Sequence, residues 1–223
     1  MDINIVKVEP SQFIPIPVIE NLVGEKLDIE QYSSDYIRRN SPVMFNLAIE
    51  RSLTKYTPHI FPNLPRELLP YRTLSQFYLY ANEYLRSISK EIAVAPKEQV
   101  CYTGRFKGIL CFKVHLANAL LDELFISDIF LQNPKETNYS DSVELSADYV
   151  GLGNGIFDLI ISNIEQYALK YNYSTIGLVA STKISMNIFE RRGYSIDNNQ
   201  HGKRGEKLGM SYPMTKNINR NNN

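Results

Sequence analysis

The sequence predicts an α/β (α+β) fold, a central sheet flanked by helices with an enlarged N-terminal helical region. Three observations point there. Two amphipathic stretches, Ser41–Tyr56 and Thr73–Ile88, precede a run of apolar β-type segments. The strand–helix–strand–helix–strand order of the last third needs a sheet with helices against it. Between the two parts stands "GLGNG", three glycines in five positions at the mouth of an apolar-periodic segment.

The elements follow in chain order. "INIVKV" (Ile3–Val8) alternates weakly and reads as a strand. "QFIPIPVI" carries two prolines and reads as extended. Ser41 is a fitting N-cap and Pro42 a fitting first residue for the helix to Tyr56, with Met44, Leu47, Ala48 and Leu53 on one face. "HIFPNLPRELLPYR" is interrupted by prolines and connects. Leu74, Phe77, Tyr78, Ala81, Tyr84, Leu85 and Ile88 space the second helix. "QVCYTGRFKGILCFKVHL" reads as a hairpin, with strands at Val100–Thr103 and Ile109–Leu116 about a turn at Gly104–Gly108. Leu121–Pro134 is a further strand, and a polar connection leads to the glycines. A helix is expected from Asn154 to Tyr171, then a buried strand at Ser174–Ser181. "TKISMNIFERRGY" is a short helix with Thr182 as N-cap and Gly193 at its end. Gly205–Lys216 reads as a last strand, and "HGKRGEK" before it as a hairpin tip or a contact for phosphate or substrate. Residues 1–216 are expected to form a single domain, with 1–98 its divergent N-terminal part and 99–216 its core; 217–223 is expected to fray.

Composition narrows the function. Lys+Arg and Asp+Glu balance at 24 each, so no global field draws nucleic acid or an anionic membrane. Cys101 and Cys111 have no second pair to make a metal site, and two reduced thiols suit a cytoplasmic protein. "MDINIVKVEP" lacks a basic segment and a long apolar run, so no signal peptide is expected, nor a membrane span.

The glycines have two local readings: a tight strand-to-helix turn, or an anion cradle of bare N–H groups at a helix start. A dinucleotide fingerprint is disfavoured, because the third glycine is misplaced and the next strand ends "VAST" without an acid. No Gly-Lys-Ser/Thr closes a P-loop.

The wider pattern adds to this. A long strand, Val150, Gly151, Leu152, Gly153, Asn154 and Gly155, a helix, a strand, and then Thr182, Ser185, Phe189, Arg191, Gly193 and Tyr194 at kept spacing resemble the acetyl-CoA-dependent GNAT superfamily. Its motifs are Q/R-x-x-G-x-G/A and N-x-x-A-x-x-x-Y-x-K-x-G-F, and the resemblance spans roughly 99–216. It implies a mixed, mostly antiparallel, V-splayed sheet and transfer of an acetyl group from acetyl-CoA to a primary amine. The coenzyme would lie between Leu124–Leu131 and Ser174–Ala180. Contacts are implied at Ile129, Phe130, Leu131, the turn Val150–Ile156, Thr182, Ser185 and Phe189, with no metal. Three departures stand out. Val150 replaces the usual Gln or Arg, so contact there is by backbone alone. Phe189 replaces a tyrosine that protonates the leaving thiolate. The connection 133–149 is longer than usual.

Direct transfer needs a base for the amine, an N–H for the developing oxyanion and an acid for the thiolate. Glu123 and Asp128 are the candidate bases, Glu123 first. Five apart, they face opposite sides of a regular strand unless a bulge intervenes. The oxyanion donor would be an N–H near Ile129 or Leu131. Tyr194 or Tyr149 would stand in as acid. His115 reads as structural. Glu136, Asp141, Glu144 and Asp148 would draw a cationic amine if their loop lies at the mouth. The alternative is a non-catalytic acyl-CoA sensor or interaction module on the same fold. The helices at 41–90 are open to shaping the acceptor site or a homodimer contact.

Overall fold

The computed structural model describes residues 5–40, 98–118, 123–134 and 155–218. The helices expected at 41–56 and 73–88 and the glycine turn up to Asn154 lie outside the described residues, as does the connection from Lys135. Within them the chain runs α1 (Ile16–Val23), β1 (Asp28–Ser33), α2 (Ser34–Asn40), β2 (Gln99–Phe106), β3 (Ile109–Asn118), β4 (Glu123–Leu131), α3 (Ile156–Lys170), β5 (Thr175–Thr182), α4 (Lys183–Glu190), β6 (Ser195–Ile196), α5 (Gln200–Leu208) and β7 (Met210–Asn217).

The strands form one sheet in the order β1-β2-β3-β4-β5-β7-β6. Every neighbouring pair is antiparallel except β4 with β5. A parallel pair needs a crossover, and α3 supplies it. The expected mixed, mostly antiparallel sheet is therefore present.

One sheet face carries the apolar core. Val100, Tyr102, Phe112, Val114, Leu116, Leu124, Ile126, Ile176, Leu178 and Met214 are buried there with α1 and α3. On α3 the spacing of Ile156, Ile160, Ile161, Ile164, Tyr167 and Ala168 places one stripe on the sheet. Each fully buried Ile stabilises by about 1.5–3 kcal/mol, so this stripe anchors α3 and fixes where its first turn stands. Phe13 seals the end, with its ring 4.8 Å from Tyr167 and 5.9 Å from Tyr102.

Several sequence expectations are corrected. Residues Ile5–Lys7 form a 3-10 turn, not part of a strand. "QFIPIPVI" is not extended: it enters α1, because Pro17 falls in the first turn, where its missing N–H leaves no bond unmade. Gly24, at φ 79°, closes that helix. The first hairpin turns on Lys107 and Gly108 alone. Gly104 is inside β2 instead, where an added Cβ would come 2.1 Å from the Phe112 ring. "HGKRGEK" is not a hairpin tip but α5. Its glycines let the helix lie against backbone: a Cβ on Gly202 would come 1.9 Å from the Asp197 carbonyl. The last strand accordingly begins at Met210, not Gly205. The strands β1 and β6 and the helix α2 lacked any readable pattern.

Candidate functional site where strands β4 and β5 part

β4 and β5 pair over only four residues each, from Glu123 with Thr175 to Ile126 with Leu178. Both strands continue. β4 runs on to Leu131 paired with β3, and β5 to Thr182 paired with β7. Beyond Leu178 the two have no ladder between them among the described residues, so the sheet is split at this end.

The split begins at a β-bulge. His115 opposes Asp128 and Leu116 opposes Ile126, which leaves Ser127 as the extra residue. The Ser127 hydroxyl is buried without a hydrogen-bond partner. The bulge also reverses the parity expected of the two carboxylates. Cross-strand partners share a face, so Asp128 lies with His115 while Ile126 lies with Leu116. Asp128 is thereby on the same face as Phe125 and Glu123.

The two acids have different surroundings on that face. Glu123 is fully buried at the paired end, where the Thr175 hydroxyl donates to it at 3.3 Å. Asp128 stands past the bulge, partly exposed, in an ion pair with Lys113 at 2.5 Å. Only Asp128 stands beside the split.

Backbone groups at the opening follow from the ladder. The Gln132 N–H donates to the Cys111 carbonyl at 2.8 Å, toward β3. N–H directions alternate along a strand. The N–H of Phe130 therefore also turns to β3, while those of Ile129 and Leu131 turn to the β5 side. Phe130 lies opposite Lys113, and Leu131 is buried opposite Phe112.

α3 begins at the same end. It leads directly into β5 through Tyr171–Ser174, so its first turn is level with the far end of β5. Two contacts agree: Phe157 packs on Phe189 of α4 at 5.6 Å, and Arg192 pairs with Asp158. Gly155 caps α3 at φ 75° with no side-chain partner, and its carbonyl accepts from Leu159 at 2.9 Å. Ile156 is buried in the first turn. The N–H groups of a first turn have no partner inside the helix and carry its positive dipole end. Val150, Gly151, Leu152, Gly153 and Asn154 lie outside the described residues.

Thr182 caps α4 in a reciprocal box. Ser185 N–H donates to the Thr182 hydroxyl at 3.2 Å, and the Thr182 N–H donates to the Ser185 hydroxyl at 3.0 Å. Phe189 is buried, edge-on to Phe157 and Tyr194. Tyr194 is buried too. Burial and the neighbouring Glu165 carboxylate both push its pKa up, so the phenol stays protonated. Lys216 sits over its ring at 5.5 Å. Its surroundings are thus Phe189, Glu165 and Lys216, on α4, α3 and β7.

Sequence reasoning missed a polar row across the sheet. Tyr32, Cys101, His115 and Asp128 are consecutive cross-strand partners. His115 is buried and its Nε2 lies 2.8 Å from Gln99 Oε1. Burial, helped by Lys113, drives its pKa down to about 3, so the ring is neutral. Burial pushes the Cys101 thiol up to about 11. Register alone brings these residues together, and no local pattern announces a register. Among the described residues there is no group of three or more metal-ligating side chains, and no helix is long and apolar enough to cross a membrane.

No family model matches the chain, and no curated protein matches it. Solved structures to which it is similar include acetyltransferases. One is the PaiA N-acetyltransferase of Thermoplasma acidophilum in complex with coenzyme A, at 12% identity over 86% of this chain and 99% of that one, with a TM-score of 0.37. Another is an acetyltransferase of the GNAT family from Streptococcus pneumoniae, at 14% identity over 87% and 100%, with a TM-score of 0.35. A third, of the same family from Staphylococcus aureus, gives 11%, 86% and 99%, with a TM-score of 0.37.

Proposed function

We propose that the chain transfers an acetyl group from acetyl-CoA to a primary amine by direct attack. The observation that carries this reading is the parting of β4 and β5 at a bulge, with the start of α3 at the same end. A sheet gains by continued pairing, and leaving two adjacent strands apart exposes backbone groups that need partners. Pantetheine is a thin chain of amides that suits such a cleft. The orphaned Ser127 hydroxyl and the outward Ile129 N–H are donors of the right kind.

In this reading the pyrophosphate sits on Gly151, Gly153, Gly155 and the Ile156 N–H, at the positive end of α3. Val150 contributes backbone only. Thr182 and Ser185 hold the start of α4, and Phe189 walls the site through Phe157. The Ile129 N–H stabilises the thioester oxygen as negative charge develops. Asp128, rather than Glu123, takes the proton from the ammonium, because it stands at the opening. The amine nitrogen bonds to the acetyl carbon, the carbon–sulfur bond breaks, and the second proton, which the nitrogen sheds as the amide forms, passes through water to the leaving thiolate. Tyr194 is left out of that step because its phenol is held beside Glu165.

Phe189 has no proton to give, which favours a second reading: a sensor that binds acyl-CoA without turnover. Calorimetric titration of acetyl-CoA, with NADH as control, tests the shared claim. Micromolar binding of acetyl-CoA alone is expected, with loss in Gly153→Val. Equal affinity in that variant would remove the phosphate cradle. Release of free thiol on adding amines then separates enzyme from sensor.

A further inference from the structure

Tyr32, Cys101 and His115 of the polar row line a cavity of about 250 Å³, and Asp128 is the next residue of the row, just beyond that lining. Its walls include Tyr32 and Tyr36 at one end and Lys113 and His115 at the other, with Cys101 and Thr103 between them. That volume is slightly below the usual range for ligand pockets, about 300–1,000 Å³. It therefore suits a molecule of amino-acid size rather than a protein surface. The two tyrosines stack at 4.3 Å, nearly parallel, and Tyr36 is 47% exposed, so a flat face is available to a ring. The floor is uncharged, as His115 is neutral and Cys101 keeps its proton. Arg105, at the rim, donates to the Gly108 carbonyl at 3.1 Å.

At the tyrosine end the charges are of opposite sign and partnered, Glu30 with the Tyr32 hydroxyl and Arg105 with the Gly108 carbonyl, and an ion pair stands at the other end. Lys113 and Asp128 form a partly exposed ion pair, 2.5 Å apart, beside the split. Water reaches both side chains and screens the pair, so a ligand replaces it at small cost. An α-amino acid carries the complementary pair of charges at a similar separation. Its ammonium meets Asp128, its carboxylate meets Lys113, and its side chain extends over His115 and Cys101 toward the tyrosines.

We infer that this cavity seats the acyl acceptor, and that the acceptor is an α-amino acid with an uncharged, flat side chain. The inference rests on the acyl-transfer reading for its chemistry, but its binding is tested separately. The probes are phenylalanine, phenethylamine (the same skeleton without the carboxylate) and spermidine, each titrated into the full chain by calorimetry. Phenylalanine should bind at least tenfold more tightly than either amine. In Lys113→Met that advantage over phenethylamine should fall to about one, with the unfolding temperature checked. Tyr36→Ala, an exposed change, should weaken phenylalanine several-fold. Tighter binding of spermidine, binding of none of the three, or an undiminished advantage in Lys113→Met would overturn the inference. Acetyl-CoA titrated in parallel separates the two claims. If it binds and phenylalanine does not, only the acceptor inference falls. If phenylalanine binds and acetyl-CoA does not, the acyl-transfer reading falls and the amino-acid site stands.

Discussion

His115 makes the fold acid-sensitive by an amount that can be worked out. In the unfolded chain its imidazole titrates near 6.5. In the native protein burial, helped by Lys113, holds it neutral down to about 3. Above 6.5 both states carry a neutral ring, and the residue adds no pH dependence to stability. Below 6.5 the unfolded chain takes up a proton that the native one refuses, so stability falls as pH falls, until about 3. Each pH unit in that window costs about 1.36 kcal/mol. Between neutrality and about pH 4.5 the loss is therefore about 3 kcal/mol. His115→Gln removes the titration and keeps an amide that can still meet Gln99. Urea unfolding of both proteins across that range gives the comparison, because the other titrating groups are common to both and cancel in the difference. The wild type should lose about 3 kcal/mol more than the variant on acidification. Parallel pH profiles would show that the ring is not buried neutral, and that the cavity floor carries a charge.

Two other changes test the strand geometry. Asp128→Asn should lower turnover by about 10²-fold or more, the range for a lost general base, while acetyl-CoA affinity holds. The loss on Glu123→Gln should be at least tenfold smaller, and steady-state rates with separate acetyl-CoA titrations read both. Gly104→Ala forces a methyl against the buried Phe112 ring, 2.1 Å from an added Cβ, and should destabilise by about 1–3 kcal/mol in urea. Wild-type stability there would mean that β2 and β3 are not packed as described.

What the sequence disclosed, and what it hid, divides along physical lines. α4 was readable because a helix start is written locally: Thr182 and Ser185 hold each other's N–H across three residues. α3 was readable because its apolar stripe repeats at the helical period. The bulge at Ser127 was not, since two strands sharing one extra residue is a property of pairing rather than of either strand. It decides the site all the same, turning Glu123 and Asp128 to one face and leaving only the second at the opening. α5 was misread because Gly202 and Gly205 look like turn residues. They serve close packing on the Asp197 and Ser211 carbonyls. β1 was invisible because "DIEQYS" buries almost nothing, and its place comes from pairing with β2.

Backbone amide NMR of the full chain on addition of acetyl-CoA reads directly whether the coenzyme lodges between β4 and β5. Shift changes are expected at Ile129 and Ile156, the first turned toward β5 and the second at the start of α3. Phe130, whose N–H bonds to β3, should move far less. Saturating acetyl-CoA that leaves Ile129 and Ile156 unmoved, or that moves Phe130 as much as Ile129, would contradict a coenzyme lodged between β4 and β5.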